Sequence, residues 1–285
     1  MTTIVTALMY SGKPNPSWEL TPEQAKNFKE ILIEKQERTT EISALAAGLL
    51  GYTGFSIETF DDSLHTKTFC FDGLVDLVDQ KQFNFIDRES SLESFLLETG
   101  KSSLSDTEAT YISDEISKNF NGGIASKNKL FNESFNLFAV PPFNPGKWNI
   151  PSVQPFNNCY NYANDKITNT FAQPGRGSGS EITDVSCPTV SAAAQRDGQI
   201  AVSNASSTPE QGHFIALVSG YPTFNDYHWY RLDSNAMWSH KPGGTAARNT
   251  DNSGNLITDP RTCNRGPYTT FCGFFHCIPA NTRIR

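Results

Sequence analysis

The chain has 285 residues, and its 23 Lys and Arg against 30 Asp and Glu give a formal net charge of −7. Nucleic acids and anionic membranes attract clustered positive charge, so this acidic balance, with both signs spread along the sequence, argues against both partners. No apolar run is long enough to span a membrane. The length predicts one large domain or two ordinary ones.

Capped helices and short strands are predicted in the N-terminal half. Thr21-Pro22-Glu23-Gln24 places a capping hydroxyl three residues before Gln24 and a proline at the first helical position. Similar capping-box motifs begin at Ser90 and Ser105. We expect the helices that follow them to end before Gly100 and Gly122. Runs of β-forming residues predict strands over 4–10, 55–60 and 83–86.

Five prolines fall between residues 139 and 155 and exclude regular structure there. We therefore predict an α+β accessory domain over 1–138, a linker over 139–155 and a second domain over 156–285. In the second domain, a short helix after Cys159 is followed by loops and by strands over 214–218, 227–232 and 268–277.

The candidate nucleophile is Cys159, in the run Asn157-Asn158-Cys159-Tyr160-Asn161-Tyr162-Ala163. Asparagine is a good helix N-cap, so the cysteine is expected in the first helical turn. Free N–H groups and the helix dipole stabilise a thiolate there. The backbone N–H of the cysteine could also serve as an oxyanion-hole donor.

The candidate base is His213, which opens the apolar strand run His213-Phe214-Ile215-Ala216-Leu217-Val218 after a glycine. If the hairpin that follows is symmetric about residue 223, Asp233 lies opposite His213 and can orient its ring. His228 is the alternative third residue, but this symmetry places it nearer the turn.

The runs NNCYNYA and QGHFIALV resemble the cysteine and histidine motifs of the CHAP and NlpC/P60 families. That resemblance implies a papain-like antiparallel-sheet domain that hydrolyses peptide or amide bonds, as in these families, which mostly cleave bacterial cell-wall peptides. It implies Cys159 as nucleophile, His213 as base and Asp233 as the orienting residue. The run YHWYRLDSNAMWSHKPG also resembles a group of bacterial and invertebrate proteins that includes mollusc shell-matrix proteins.

The other polar clusters predict no cofactor and no metal site. Cys263, Cys272, His276 and Cys277 lack a zinc-type C-x-x-C pair. Residues 174–179 are rich in glycine but lack the Lys-Ser/Thr of a phosphate loop, so we interpret them as a mobile loop.

The N-terminal residues lack the pattern of a signal peptide, and five cysteines besides Cys159 cannot all pair within the chain. Both observations predict a reducing, cytoplasmic setting. The sequence leaves two hypotheses: a thioester-forming amide hydrolase with a peptide or amide substrate, or a non-catalytic module of the same fold that binds polysaccharide or protein chains.

Overall fold

A computed structural model describes residues 2–34, 38–39, 49–61, 64–78, 83–87, 89–118, 140–206 and 209–285. The chain forms two compact units. The first contains residues 2–9, 15–34, 38–39 and the described residues between 52 and 118. The second contains residues 10–14, 49–51 and all described residues from 140 onward. Both units combine helices with antiparallel strands, which confirms the predicted α+β class.

The first unit contains a seven-stranded sheet in the order β2-β1-β4-β5-β6-β7-β3. Its strands are β1 Thr2–Ala7, β2 Ser17–Glu19, β3 Arg38–Thr39, β4 Phe55–Asp61, β5 Leu64–Phe71, β6 Leu74–Leu77 and β7 Phe83–Ile86. The predicted strands over 55–60 and 83–86 are confirmed, and the first strand ends three residues earlier than predicted.

Three helices accompany this sheet: α1 Pro22–Glu34, α2 Ser91–Thr99 and α3 Asp106–Lys118. Capping boxes at Thr21 and Ser105 form as predicted, with reciprocal bonds to Gln24 and Glu108. Ser90 has a left-handed backbone and makes no side-chain cap bond, and the Asp87 carboxylate accepts from the Leu92 N–H at 2.8 Å. The buried Glu93 accepts from the Tyr52 hydroxyl at 2.7 Å. The predicted end of α3 before Gly122 lies outside the described residues.

The second unit contains a five-stranded antiparallel sheet in the order β11-β10-β9-β12-β8. Its strands are β8 Ile200–Val202, β9 His213–Ser219, β10 Tyr227–Leu232, β11 Trp238–His240 and β12 Thr270–Cys277. Successive side chains alternate between faces. Ile215, Leu217 and Trp229 therefore share one face, and His228 and Tyr230 lie on the other.

Three short helices belong to this unit: α4 Pro145–Trp148, α5 Cys159–Ala163 and α6 Cys187–Arg196. A buried cluster joins Cys159 and Ala163 of α5 and Val190 of α6 to Ile215 and Trp229 of the sheet. Burial of this apolar surface therefore fixes both helices against one sheet face.

The predicted linker 139–155 is folded into the second unit, where residues 140–155 are described. The indole of Trp148 is fully buried, and it forms a second core cluster with Val153, Tyr162 and Ala247. Prolines permit this because they occupy turns and helix starts, as Pro145 does at the start of α4. The second unit thus begins earlier than the predicted boundary at residue 156.

Among the helices of the described residues, none is both long and apolar enough to cross a membrane.

Candidate functional site

Cys159 is the first residue of α5, and Asn158 caps that helix as the sequence predicts. The Asn158 side chain accepts hydrogen bonds from the backbone N–H groups of Tyr160 at 3.0 Å and Asn161 at 3.1 Å. The Asn161 side chain accepts from the Asn158 N–H at 3.1 Å, which completes a capping box. The helix ends at Ala163.

The thiol of Cys159 is fully buried, with no exposed surface. Burial raises the pKa of this thiol far above its ordinary value, and the neighbouring Asp226 raises it further. Desolvation therefore outweighs the stabilisation that a helix N-terminus gives to a thiolate. Burial therefore favours a protonated thiol at Cys159 and opposes the thiolate predicted from its helix position.

His213 lies at the opposite end of α5 from Cys159. Its Nε2 is 2.6 Å from the carbonyl oxygen of Ala163, the last residue of the helix, and therefore donates to it. The thiol of Cys159 instead lies beside Trp229, which pairs with Leu217 four residues along β9 from His213. At about 3.3 Å per strand residue, His213 and Leu217 are roughly 13 Å apart along β9.

The second ring nitrogen of His213 has no hydrogen-bond partner among the described residues. Burial lowers the pKa of His213 to about 4, so the ring is neutral at pH 7. A histidine that hydrogen-bonds a helix C-terminus in the core stabilises the fold. The described geometry therefore does not bring this imidazole to the thiol of Cys159.

The predicted hairpin register is correct: Arg231 pairs with Ile215, and continuing this register places Asp233 opposite His213. The Asp233 side chain, however, accepts from Nε of Arg231 at 2.8 Å. Arg231 is 1% exposed and needs a carboxylate partner, since a buried guanidinium without one is costly. Asp233 is thus engaged in an ion pair, and it does not orient the ring of His213.

A buried carboxylate that the sequence reasoning missed lies near the start of β10. Asp226 accepts hydrogen bonds from three consecutive backbone N–H groups, those of Ser11 at 2.6 Å, Gly12 at 3.0 Å and Lys13 at 3.0 Å. The hydroxyl of Tyr268 is hydrogen-bonded to the same carboxylate at 2.6 Å. Residues 10–14 are thereby bound into the second unit.

The alternative third residue, His228, belongs to this second cluster and lies on the sheet face opposite Trp229. Its Nδ1 is 2.9 Å from the Ser11 hydroxyl, and its Nε2 is 2.9 Å from Nδ1 of His240. Nε2 of His240 donates to the carbonyl oxygen of Thr250 at 3.0 Å. A serine, two histidines and a carboxylate thus form one continuous hydrogen-bond network.

This network has the group types of a hydrolytic site, but no substrate can reach it. Ser11 is 2% exposed, His240 is 1% exposed, and His228 and Asp226 have no exposed surface. Burial lowers the pKa of both imidazoles, that of His240 to about 3. The one sequence signal for it is the presence of His228 and His240 in neighbouring strands β10 and β11. Nothing in the sequence places residues 10–14 beside them.

Lys241 is a buried cation beside α5. Its ammonium group donates to the carbonyl oxygens of Gln154 at 2.6 Å, Gly243 at 2.7 Å and Asn157. Burial lowers the pKa of this group to about 7. The protonated group uses all three of its hydrogens and holds three loops together.

The glycine-rich segment is fixed by Asp197, contrary to the predicted mobile loop. The Asp197 carboxylate accepts hydrogen bonds from the Gly175 N–H at 2.7 Å, the Ser178 hydroxyl at 2.8 Å and the Tyr160 hydroxyl at 2.9 Å. The segment is therefore tied to both α5 and α6.

Cys187 of α6 forms a disulfide with Cys272 of β12. This bond removes Cys272 from the metal-type cluster considered above. Within the described residues, no group of three or more His, Cys, Asp or Glu side chains is arranged to hold a metal ion.

No known family model matches the chain, and no solved structure matches it. The resemblance to CHAP and NlpC/P60 proteins therefore rests on the two short motifs alone. A curated relative, "Insoluble matrix shell protein 1" of Ruditapes philippinarum, is 51% identical over 139 residues. The alignment covers 48% of this chain and 90% of the relative.

The predicted cytoplasmic, reducing setting is wrong. The relative is named as a protein of the shell matrix, which lies outside the cell. The disulfide between Cys187 and Cys272 agrees with an oxidising compartment. At 51% identity over nine-tenths of the relative's length, the likeness is that of one protein family. The chain belongs to the family of insoluble matrix shell protein 1.

Proposed function

We propose that this protein is a non-catalytic structural module of an extracellular matrix, which binds polysaccharide or protein chains. The observation that carries the proposal is the complete burial of Cys159, at the end of α5 away from His213. A nucleophile needs a thiolate that substrate can approach. The kinship with a shell-matrix protein supports the same conclusion.

The binding surface of this module is proposed to include the exposed aromatic rings of the second unit. Phe156 exposes 52% of its surface and Tyr221 exposes 47%. Both lie outside the regular strands, where rings can stack on sugar faces or on extended chains. Ile150, six residues before Phe156 in the sequence, is also an exposed apolar side chain, with 45% of its surface exposed.

The papain-like hydrolase is the alternative hypothesis. It requires Cys159 to be reachable by substrate and to lie within hydrogen-bond distance of His213. The cap at Asn158 and the position of the helix against an antiparallel sheet agree with it. The buried thiol and the Ala163–His213 hydrogen bond oppose it.

A binding and turnover experiment separates the two hypotheses. The wild-type protein, Cys159→Ala and Phe156→Ala are each mixed with insoluble chitin and cellulose, and the bound fraction is measured. Peptidoglycan and casein digestion are measured on the same samples. Phe60→Ala, which removes an exposed aromatic ring of the first unit, is the matched control.

The structural proposal expects wild type, Cys159→Ala and Phe60→Ala to bind equally, Phe156→Ala to bind less, and none to release peptides. Peptide release by the wild type that disappears in Cys159→Ala overturns the proposal in favour of the hydrolase.

A further inference from the structure

The buried network of the second unit contains a row of five short hydrogen-bond contacts. The Ser11 hydroxyl also has two longer contacts outside this row, to the Tyr227 carbonyl oxygen at 3.2 Å and to the Asp226 carboxylate at 3.3 Å. Each contact of the row needs one hydrogen atom between its two heavy atoms. The contacts are Asp226–Tyr268 at 2.6 Å, Tyr268–Ser11 at 2.7 Å, Ser11–His228 at 2.9 Å, His228–His240 at 2.9 Å and His240–Thr250 at 3.0 Å.

The groups of this row supply only four hydrogens in their ordinary protonation states. The hydroxyls of Tyr268 and Ser11 carry one each, and the neutral rings of His228 and His240 carry one each. An ionised Asp226 carries none, and the carbonyl oxygen of Thr250 carries none. Five contacts therefore share four hydrogens.

The shortage follows from the two ends of the row. The Thr250 carbonyl can only accept, so His240 donates to it through Nε2 and must accept at Nδ1. An ionised Asp226 at the other end can also only accept. Donors then point outward from both ends, and somewhere inside the row two lone pairs face each other at hydrogen-bond distance.

We propose that the Asp226–Ser11–His240 network is a binding site for one proton, which it holds in the folded protein at neutral pH. With that fifth hydrogen, each of the five contacts of the row has a donor and an acceptor, and the row carries no net charge. The hydrogens then all run in one direction, from Asp226 through Tyr268, Ser11 and His228 to His240 and the Thr250 carbonyl.

The groups around the network favour a net charge of zero. Cys159 and Tyr227 face Asp226, and burial keeps both neutral by raising the pKa of each. Asp226 belongs to no ion pair among the described residues, so its ionised form lacks a cation. Arg248 is the charged neighbour of His240, and it disfavours a second positive charge there.

Burial raises the pKa of Asp226 and lowers the pKa of both histidines. These directions favour Asp226 over the two histidines as the group that holds the proton. Three backbone N–H groups favour the ionised carboxylate, but they leave the row one hydrogen short.

The proposal predicts proton release on unfolding. At pH 8 the unfolded chain has an ionised Asp226 and neutral histidines, so it holds one proton fewer than the folded network. The folding equilibrium constant should then fall about tenfold per pH unit from this network alone. Lys241 contributes with the opposite sign, so the network is measured by comparison with a variant.

The variant is Ser11→Ala, which removes two of the five contacts and leaves three hydrogens for three contacts. The protons released on thermal unfolding at pH 8 are obtained by calorimetry in phosphate and Tris, whose ionisation enthalpies differ. We expect the wild type to release about one proton more than Ser11→Ala. Ser219→Ala is the control, because Ser219 is a buried serine that donates to Val185 outside the network. It should match the wild type.

Tyr268→Phe breaks the row at a second point and should behave as Ser11→Ala does. The wild type is also labelled with ¹⁵N in histidine and ¹³C in aspartate, and its protonation states are read by NMR at pH 7.5. A protonated Asp226 with two neutral rings, or an ionised Asp226 with one imidazolium, gives the fifth hydrogen. An ionised Asp226 with two neutral rings, or equal proton release by wild type and both variants, overturns the proposal.

Discussion

Asp226 accepts a hydrogen bond from the backbone N–H of Ser11 at 2.6 Å, which joins two residues that are 215 positions apart in the sequence. Gly12 and Lys13 donate to the same carboxylate. One buried side chain therefore holds three consecutive peptide groups, and it determines that residues 10–14 fold with the second unit.

Replacing Asp226 with alanine should destabilise the protein by about 3 kcal/mol or more, because it leaves several buried donors without an acceptor. The measurement is urea unfolding followed by tryptophan fluorescence. Asp184→Ala is the matched control, since Asp184 accepts a backbone and two hydroxyl hydrogen bonds at an exposed site. A loss of stability no larger than that of the control would contradict the assigned role of Asp226.

Gly12 is required by the close approach of its backbone to Tyr227. A Cβ atom at residue 12 would lie 2.6 Å from the Tyr227 carbonyl oxygen and 2.7 Å from its ring. We expect Gly12→Ala to cost about 1–3 kcal/mol through this overpacking. Gly146→Ala is the control: its nearest atom would be 3.4 Å away, and alanine favours the helix. Equal thermal midpoints for the two variants would refute the packing argument.

Much of the second unit could be predicted because its signals are local. Asn158 caps α5 through its own neighbours, and the hairpin symmetry gave the register of Arg231 with Ile215. The strands β8 and β11 and the helix α6 were missed. Each of these elements is short, and its structure depends on packing and not on a repeating pattern of hydrophobic residues.

The structure does not bring the candidate site residues together, for a reason that local signals cannot reveal. A cysteine at a helix start and a histidine at a strand start are compatible with either direction of the helix across the sheet. Here the helix runs so that Ala163, and not Cys159, meets His213. Asp233 binds the buried guanidinium of Arg231 and not the ring of His213. This choice of partner depends on the burial of Arg231, which the local sequence does not show.

The Cys187–Cys272 disulfide joins α6 to β12 across 85 residues of sequence. A cross-link over a long loop restricts the unfolded chain, so we expect Cys187→Ser/Cys272→Ser to lose about 2–4 kcal/mol. Reductant should destabilise the wild type by a similar amount and leave the double variant unchanged. Cys263→Ser, which alters a half-buried free thiol, is the control. Reductant-insensitive stability of the wild type would count against this prediction.

Among the free thiols of the described residues, Cys263 should react first in the folded protein. Cys70, Cys159 and Cys277 are buried, whereas Cys263 is partly exposed. Limited iodoacetamide treatment at pH 8, followed by peptide mapping, is expected to find Cys263 modified and Cys159 intact until urea unfolds the chain. Early modification of Cys159 would instead show that its thiol is accessible and reactive.

The contribution of Lys241 to stability should rise with pH. Burial lowers its pKa to about 7 in the folded protein, and an unfolded lysine keeps its proton up to about pH 10.4. Between these values the unfolded state binds more protons, so the folded state gains stability as the pH rises. Below pH 7 both states are protonated, and the full desolvation cost of the buried ammonium remains.

The stability difference between the wild type and Lys241→Met should therefore increase by up to about 1.4 kcal/mol per pH unit above pH 7. Urea unfolding at pH 6, 7, 8 and 9 measures it. Lys26→Met removes an exposed lysine that pairs with Glu30 and should give a flat difference. A flat profile for Lys241→Met as well would mean that the carbonyls of Gln154, Asn157 and Gly243 stabilise the ammonium enough to offset its burial. In that case Lys241 is a permanent cation of the core.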